Sequence, residues 1–269
     1  MEIRRYASLD EFRAAADPVY RRDPVNSTVE LPLLRSDFEF EDPLLLTVSS
    51  DGVVIGAAIQ TPPRPLLCSV LPENAIDGVV HEVAGIRPQL VGFRGLRATA
   101  TQFAEAWQTA TGRQGTVGME ERLYRLGSLR APTGVEGAHR GATEADSAWL
   151  DAWLTAFDVE AFGHASPGPL PSAFTLLWTV DGAPVSMAGV RKPVASVSRI
   201  GPVFTPADRR GQGYGSAVTA AAAQCARDAG AEDVVLFTDL ANAVSNSIYQ
   251  AIGFEPVSDW LRVDFAAGS

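Results

Sequence analysis

Cysteine, lysine and histidine are scarce in this chain of 269 residues. There are two cysteines, Cys68 and Cys225, and three histidines, at 81, 139 and 164, and no metal-ligand spacing joins the two sets. That excludes a disulfide framework and leaves no metal expected. Lys192 is the lone lysine, and 22 basic residues against 32 acidic ones leave a net charge of −10, which argues against a nonspecific nucleic-acid surface. Long apolar runs are missing as well: no stretch reaches the roughly 18 residues a membrane span requires. Nor does an apolar run follow Met1-Glu-Ile-Arg-Arg5, so a cytoplasmic chain is the expectation. What is present is ordinary globular material, 46% hydrophobic and 8% aromatic, long enough for two modest domains.

One segment stands out. Arg210-Gly211-Gln212-Gly213-Tyr214-Gly215 lies between an apolar strand at 200–204 and an alanine-rich helix at 216–229. Glycines at alternate positions let the backbone turn where side chains forbid it, so consecutive N–H groups can converge on phosphate oxygens. The helix that follows adds its unpaired first-turn N–H groups, Ser216 included, and the positive end of its dipole. Upstream, Pro202 cannot donate to a sheet ladder, which predicts a bulge or a splayed edge in the strand carrying Val203, Phe204 and Thr205. Downstream, a second apolar strand at 234–237 leads into Asn242-Ala-Val-Ser245-Asn246-Ser-Ile-Tyr249-Gln-Ala-Ile-Gly253-Phe254. Spacings of three, one and three put Asn242, Ser245, Asn246 and Tyr249 along one helix face. Gly253 reads as the stop of that helix and Phe254 as the start of a strand.

Together the two motifs resemble the acetyl-CoA-binding core of the GNAT N-acetyltransferase superfamily. The resemblance implies an α/β fold, a mixed and mostly antiparallel sheet flanked by helices, and acetyl-CoA as acyl-donor substrate with no metal. It implies that Arg210 and the backbone of Gly211, Gln212, Gly213, Tyr214, Gly215 and Ser216 hold the pyrophosphate. Val203, Phe204 and Thr205 would then lie along the pantetheine arm, with Asn242 and Asn246 aligning it and Tyr249 at the sulfur. The chemistry agrees: acetyl transfer to an amine expels a thiolate, and a phenol with a pKa near 10 can protonate it. The acceptor amine also needs a base or a water relay. No carboxylate stands on the 198–204 strand, so the candidates are Glu160 and His164, in the stretch after the first helix that borders the acceptor in this family. Asp239 reads instead as a cap for the next helix. An acidic protein suits a cationic amine, although acidity also serves solubility.

The glycine- and proline-bearing segment 127–141 interrupts the pattern and marks a boundary between 1–130 and 138–269. After it, Thr143 is a sensible N-cap for a helix with Trp149, Leu150, Trp153, Leu154 and Phe157 at helical spacing, read as core. A hairpin then turns at Asp181-Gly182. The first half repeats this plan in faded form: Asp51-Gly52 and Pro63 recur 130 residues later as Asp181-Gly182 and Pro193. Matching Gly112 to Gly253 sets Glu105 and Gln108 where Asn246 and Tyr249 stand, and no glycine cluster follows Pro72. The expectation is a degenerate GNAT-like domain over 1–130 and a catalytic one over 138–269, with a homodimer left open. Two other readings stay open: a non-catalytic acyl-CoA sensor, and a nucleotide-binding enzyme, which the missing lysine after the loop disfavours.

Overall fold

The structure is a computed structural model that describes residues 1–36, 40–163 and 173–266. Contacts divide it into two units. Unit 1 comprises Met1–Leu123, Asp239–Ala241 and the stretch from Val257, and unit 2 comprises Tyr124–Thr238 and Asn242–Pro256.

Unit 1 begins with β1 (Glu2–Tyr6), α1 (Leu9–Tyr20) and the short α2 (Glu30–Leu33), followed by β2 (Leu44–Ser50), β3 (Val53–Gln60) and β4 (Leu66–Val70). Next come α3 (Ile76–Ile86), β5 (Gly92–Leu96), α4 (Arg97–Thr111) and β6 (Gly115–Leu126), whose last residues enter unit 2. Strands β1 to β4 pair antiparallel in order, and β4 runs parallel to β5. The core lies between this sheet and α3 and α4, where Phe93, Phe103, Trp107 and Phe265 stack. The far side of β5 is closed by Trp260–Asp264, paired antiparallel with Leu96–Gly92. Chain ends therefore share one unit, whereas the sequence boundary keeps 138–269 together. The reason is the ladder itself, since β5 finds its second partner in the last strand of the chain.

Unit 2 follows the same plan with β7 (Ala138–Gly141), α5 (Ser147–Phe162), β8 (Ala173–Val180), β9 (Ala183–Arg191), β10 (Val197–Phe204), α6 (Tyr214–Asp228), β11 (Asp233–Asp239), α7 (Ala243–Ala251) and the start of β12 (Phe254–Phe265), which from Val257 on belongs to unit 1. Strands β7 to β10 are antiparallel and β10 runs parallel to β11, as β4 does to β5. Both Asp-Gly pairs form the expected hairpin turns, with positive φ at Asp51, Gly52, Asp181 and Gly182. The alanines of α6 are there for close approach. Ala222, Ala223 and Ala226 are fully buried against Ala188, Val190, Ile200, Val234 and Leu236, bringing the helix axis near the sheet. Cys225 is half-buried at the edge of this cluster.

In α4 the residues facing the core are Ala100, Phe103 and Trp107, while Glu105 and Gln108 are exposed. The helix has 15 residues against nine in α7, so counting back from Gly112 lands one residue off the buried aromatic. Trp107, not Gln108, is the side chain that α4 inserts into its core as α7 inserts Tyr249. Among the described residues no helix is long and apolar enough to cross a membrane.

Candidate functional site

Strands β10 and β11 pair from Val197↔Asp233 to Ile200↔Leu236 and then continue without pairing to each other. On its other side β10 slips register against β9 between Ile200 and Val203, where Gly201 and Pro202 sit. The bulge that Pro202 predicts is thus present, and Val203, Phe204 and Thr205 border the unpaired stretch. Phe204 and Thr205 are held from behind. Ser186 Oγ donates to the Phe204 carbonyl at 3.1 Å and lies 2.8 Å from Thr205 Oγ1.

From Thr205 the chain makes a single 3₁₀ turn, Ala207–Arg209, and enters the glycine loop. Gly211 at φ +77° and Gly213 at φ +83° adopt left-handed conformations, and Gly213 is the N-cap of α6. The helix begins at Tyr214, two residues earlier than its sequence pattern indicates, so Tyr214, Gly215 and Ser216 are its first turn. No side chain caps that turn, and first-turn N–H groups have no partner within the helix. Gly211, Gln212 and Gly213 are exposed, and a Cβ on Gly211 would meet nothing within 4 Å. The loop is an exposed glycine-bearing turn at an uncapped helix N-terminus, a geometry that can hold an anion. At the equivalent place in unit 1, a 3₁₀ turn leads into α3 with no left-handed glycine, and Glu73 in that turn and Asp77 in the first turn of α3 would repel a phosphate.

Arg210, at the head of the loop, pairs with its own chain and with α5. Its guanidinium donates through Nε to the Thr205 carbonyl at 2.9 Å and through Nη2 to Glu160 Oε2 at 2.6 Å. Glu160, on α5, is therefore held against the arginine of the glycine loop in a surface ion pair. Charge complementarity across the surface between the end of α5 and the loop decides this, and sequence distance hid it. His164 lies outside the described residues. On the opposite flank Val135, from the glycine-rich segment, approaches Gly213: its Cγ2 is 3.0 Å from where a Cβ would stand.

Helix α7 carries the second motif. Asn242 is its N-cap, accepting from Ser245 N through Oδ1 at 2.9 Å. Asp239, expected to cap this helix, accepts instead from Ala241 N at 2.7 Å. Asn246 donates through Nδ2 to the Asn242 carbonyl at 2.8 Å and accepts through Oδ1 from the Tyr124 hydroxyl at 2.9 Å. Tyr249 is buried, its ring edge-on to Phe254 at 6.2 Å. Burial pushes the Tyr249 phenol up to about 12, with a hydrogen bond to Ser245 pulling the other way. At neutral pH it holds its proton, as a donor must. Gly253 ends the helix at φ +104°, and a Cβ there would stand 1.9 Å from the Ser128 carbonyl oxygen, so the segment after β6 packs against it.

Tyr124 is a residue that sequence reading missed. It lies on β6, far from either motif in the chain, and no local signal distinguishes it from a core aromatic. The apolar face of α5 is also more open than a core helix. Trp149, Leu150, Trp153, Leu154 and Phe157 pack on Leu177, Met187 and Phe204, yet none is fully buried. Thr143 caps the 3₁₀ turn before α5 rather than α5 itself, with its N–H on Asp146 Oδ2 at 2.8 Å. Arg140 grips the same carboxylate at 2.7 and 2.8 Å and holds Asp146 well below the usual carboxylate range.

Comparison with known proteins agrees with this geometry. Residues 140–254 match the family described as Acetyltransferase (GNAT) family. No curated protein matches the chain by sequence. Among solved structures, a GCN5-related N-acetyltransferase from Sphaerobacter thermophilus is similar with a TM-score of 0.63 at 14% identity, covering 98% of this chain and 94% of that one. A GCN5-related N-acetyltransferase from Kribbella flavida reaches 0.59 at 17% identity, covering 93% and 96%. A tandem GNAT protein from the clavulanic acid biosynthesis pathway reaches 0.58 at 13%, covering 100% and 99%. At these identities the structures speak for the fold, which is consistent with two tandem copies, and the family match places an acetyltransferase (GNAT) domain in residues 140–254.

Proposed function

We propose that unit 2 transfers an acetyl group from acetyl-CoA to a primary amine by direct attack, with no covalent enzyme intermediate. The observation that carries the reading is the conjunction of an uncapped helix N-terminus behind two left-handed glycines with two parallel strands that stop pairing at Ile200 and Leu236. The loop N–H groups of Gly211 to Ser216 suit a pyrophosphate. The unpaired edges of β10 and β11 suit the amides of a pantetheine arm, as an added strand would be suited. Asn242 serves here as the cap that orients the first turn of α7, and Asn246 as part of the bonding that steadies it. Tyr249 donates a proton to the departing thiolate, and its burial keeps it protonated until well above neutral pH.

The engagement of Glu160 with Arg210 leaves the base unassigned, and this favours a second reading, a non-catalytic acyl-CoA sensor. One experiment separates the two. Calorimetric titration with acetyl-CoA runs beside a thiol-release assay over a panel of amines. Binding with release dependent on one amine class supports the transferase, binding without release from any amine supports the sensor, and absence of binding rejects both.

A further inference from the structure

Helix α7 is nine residues long, and Tyr249 is its one buried residue. So short a helix is marginal alone, and a single buried side chain constrains its roll weakly. Ile248 adds partly buried apolar contact and the segment after β6 ties the end of the helix, and one hydroxyl adds the polar anchor on its exposed side. Tyr124, itself completely buried, donates to Asn246 Oδ1 at 2.9 Å and accepts from Gln250 Nε2 at 3.2 Å. Asn246 and Gln250 stand four residues apart, so a single phenol grips two successive turns of the same helix face. Tyr124 has no freedom of its own to give, since it is wedged in the cluster with Leu126, Ile252 and Phe254.

We propose that Tyr124 is a positioning residue whose hydroxyl fixes the roll of α7 and thereby the place of the Tyr249 hydroxyl. Its kinetic consequence rests on the reading of Tyr249 as proton donor, whereas the anchoring itself does not. The Asn246 side chain, by the same geometry, acts through this anchor rather than as a free ligand of the donor.

The test compares Tyr124→Phe with the parent in the full chain, by amide hydrogen exchange and by steady-state kinetics. Exchange over 243–251 is expected to quicken by about tenfold while α6 is unchanged, the loss of one hydrogen-bonded anchor. Turnover is expected to fall by about tenfold with acetyl-CoA affinity held within about twofold, and Tyr124→Phe/Tyr249→Phe to be no slower than Tyr249→Phe alone. Unchanged exchange in α7, or losses that multiply in the double variant, would overturn the proposal. Should Tyr124→Phe fail to fold, the exposed Gln250→Ala removes one of the two grips, with a smaller quickening of α7 expected and none counting against it. If the parent transfers acetyl to no amine, the proton-donor reading fails, and the exchange measurement still decides the anchor.

Discussion

Replacing Tyr249 by Phe removes one oxygen from a buried site and tests the chemistry most directly. The phenol is pushed up to about 12, whereas a free thiol titrates near 8.5, so proton transfer from one to the other is uphill by about 3.5 pH units, or about 5 kcal/mol. Under the proposed role, a gap of that size has Tyr249 sharing its proton with the developing thiolate rather than completing the transfer early. General-acid help then falls at the lower end of its usual range, and Tyr249→Phe should lower turnover by about 100-fold with acetyl-CoA affinity little changed. The parent's turnover should stay flat from neutrality to about pH 10 as far as this group is concerned, because it does not ionise there. Stability has a matching signature. The folded state keeps the proton that the unfolded chain releases near pH 10, so the stability linked to Tyr249 is intact below about pH 10 and is lost as pH rises toward about 12. Turnover numbers from a thiol-release assay and a pH series of urea melts measure both. A Phe variant with turnover within about threefold of the parent would refute the assignment, since a general acid typically contributes far more.

Three further outcomes are expected. Gly213→Ala forces a Cβ into a φ of +83° and against Val135, so it should cost about 1–2 kcal/mol locally and weaken acetyl-CoA binding by tenfold or so in calorimetry, and an unchanged affinity would remove the loop from donor binding. Glu160→Gln releases the Arg210 guanidinium; acetyl-CoA should bind about two- to fivefold tighter at low salt, the difference vanishing at high salt, whereas unchanged affinity with lost turnover would make Glu160 the base after all. Glu30 is fully buried in unit 1, and burial pushes its carboxyl up. Its folded form therefore keeps a proton that the unfolded chain loses near pH 4.3, so stability is greatest below that and declines as pH rises through the raised value. Glu30→Gln should melt like the parent at pH 4 and higher than the parent at pH 8, and a lower melting temperature at pH 8 would show that Glu30 is held as a needed carboxylate.

The parts of the site legible in the sequence are those whose physics is local. Gly211 and Gly213 announce a loop because their left-handed backbone needs them within a few residues. Asp51-Gly52 and Asp181-Gly182 announce hairpins for the same reason, and the place of Pro202 marks the bulge. Helical spacing alone puts Ser245, Asn246 and Tyr249 on one side of α7. Glu105 and Gln108 were not legible in this way. Which residue of α4 meets the core depends on the length of the helix and its roll on the sheet, and neither is written in the spacing back from Gly112.

By itself, then, the sequence determined a glycine turn at a helix N-terminus, two hairpins and the helix that carries Tyr249, because turns, caps and helix faces are set by neighbours in the chain. The tertiary structure alone decided that Trp260–Asp264 would close unit 1 against β5, that Glu160 would hold Arg210, and that Tyr124 would grip α7. Each of these joins residues tens to more than a hundred positions apart. Such pairings are selected by burial and hydrogen-bond satisfaction across the folded sheet, and no local pattern encodes a partner that distance along the chain conceals.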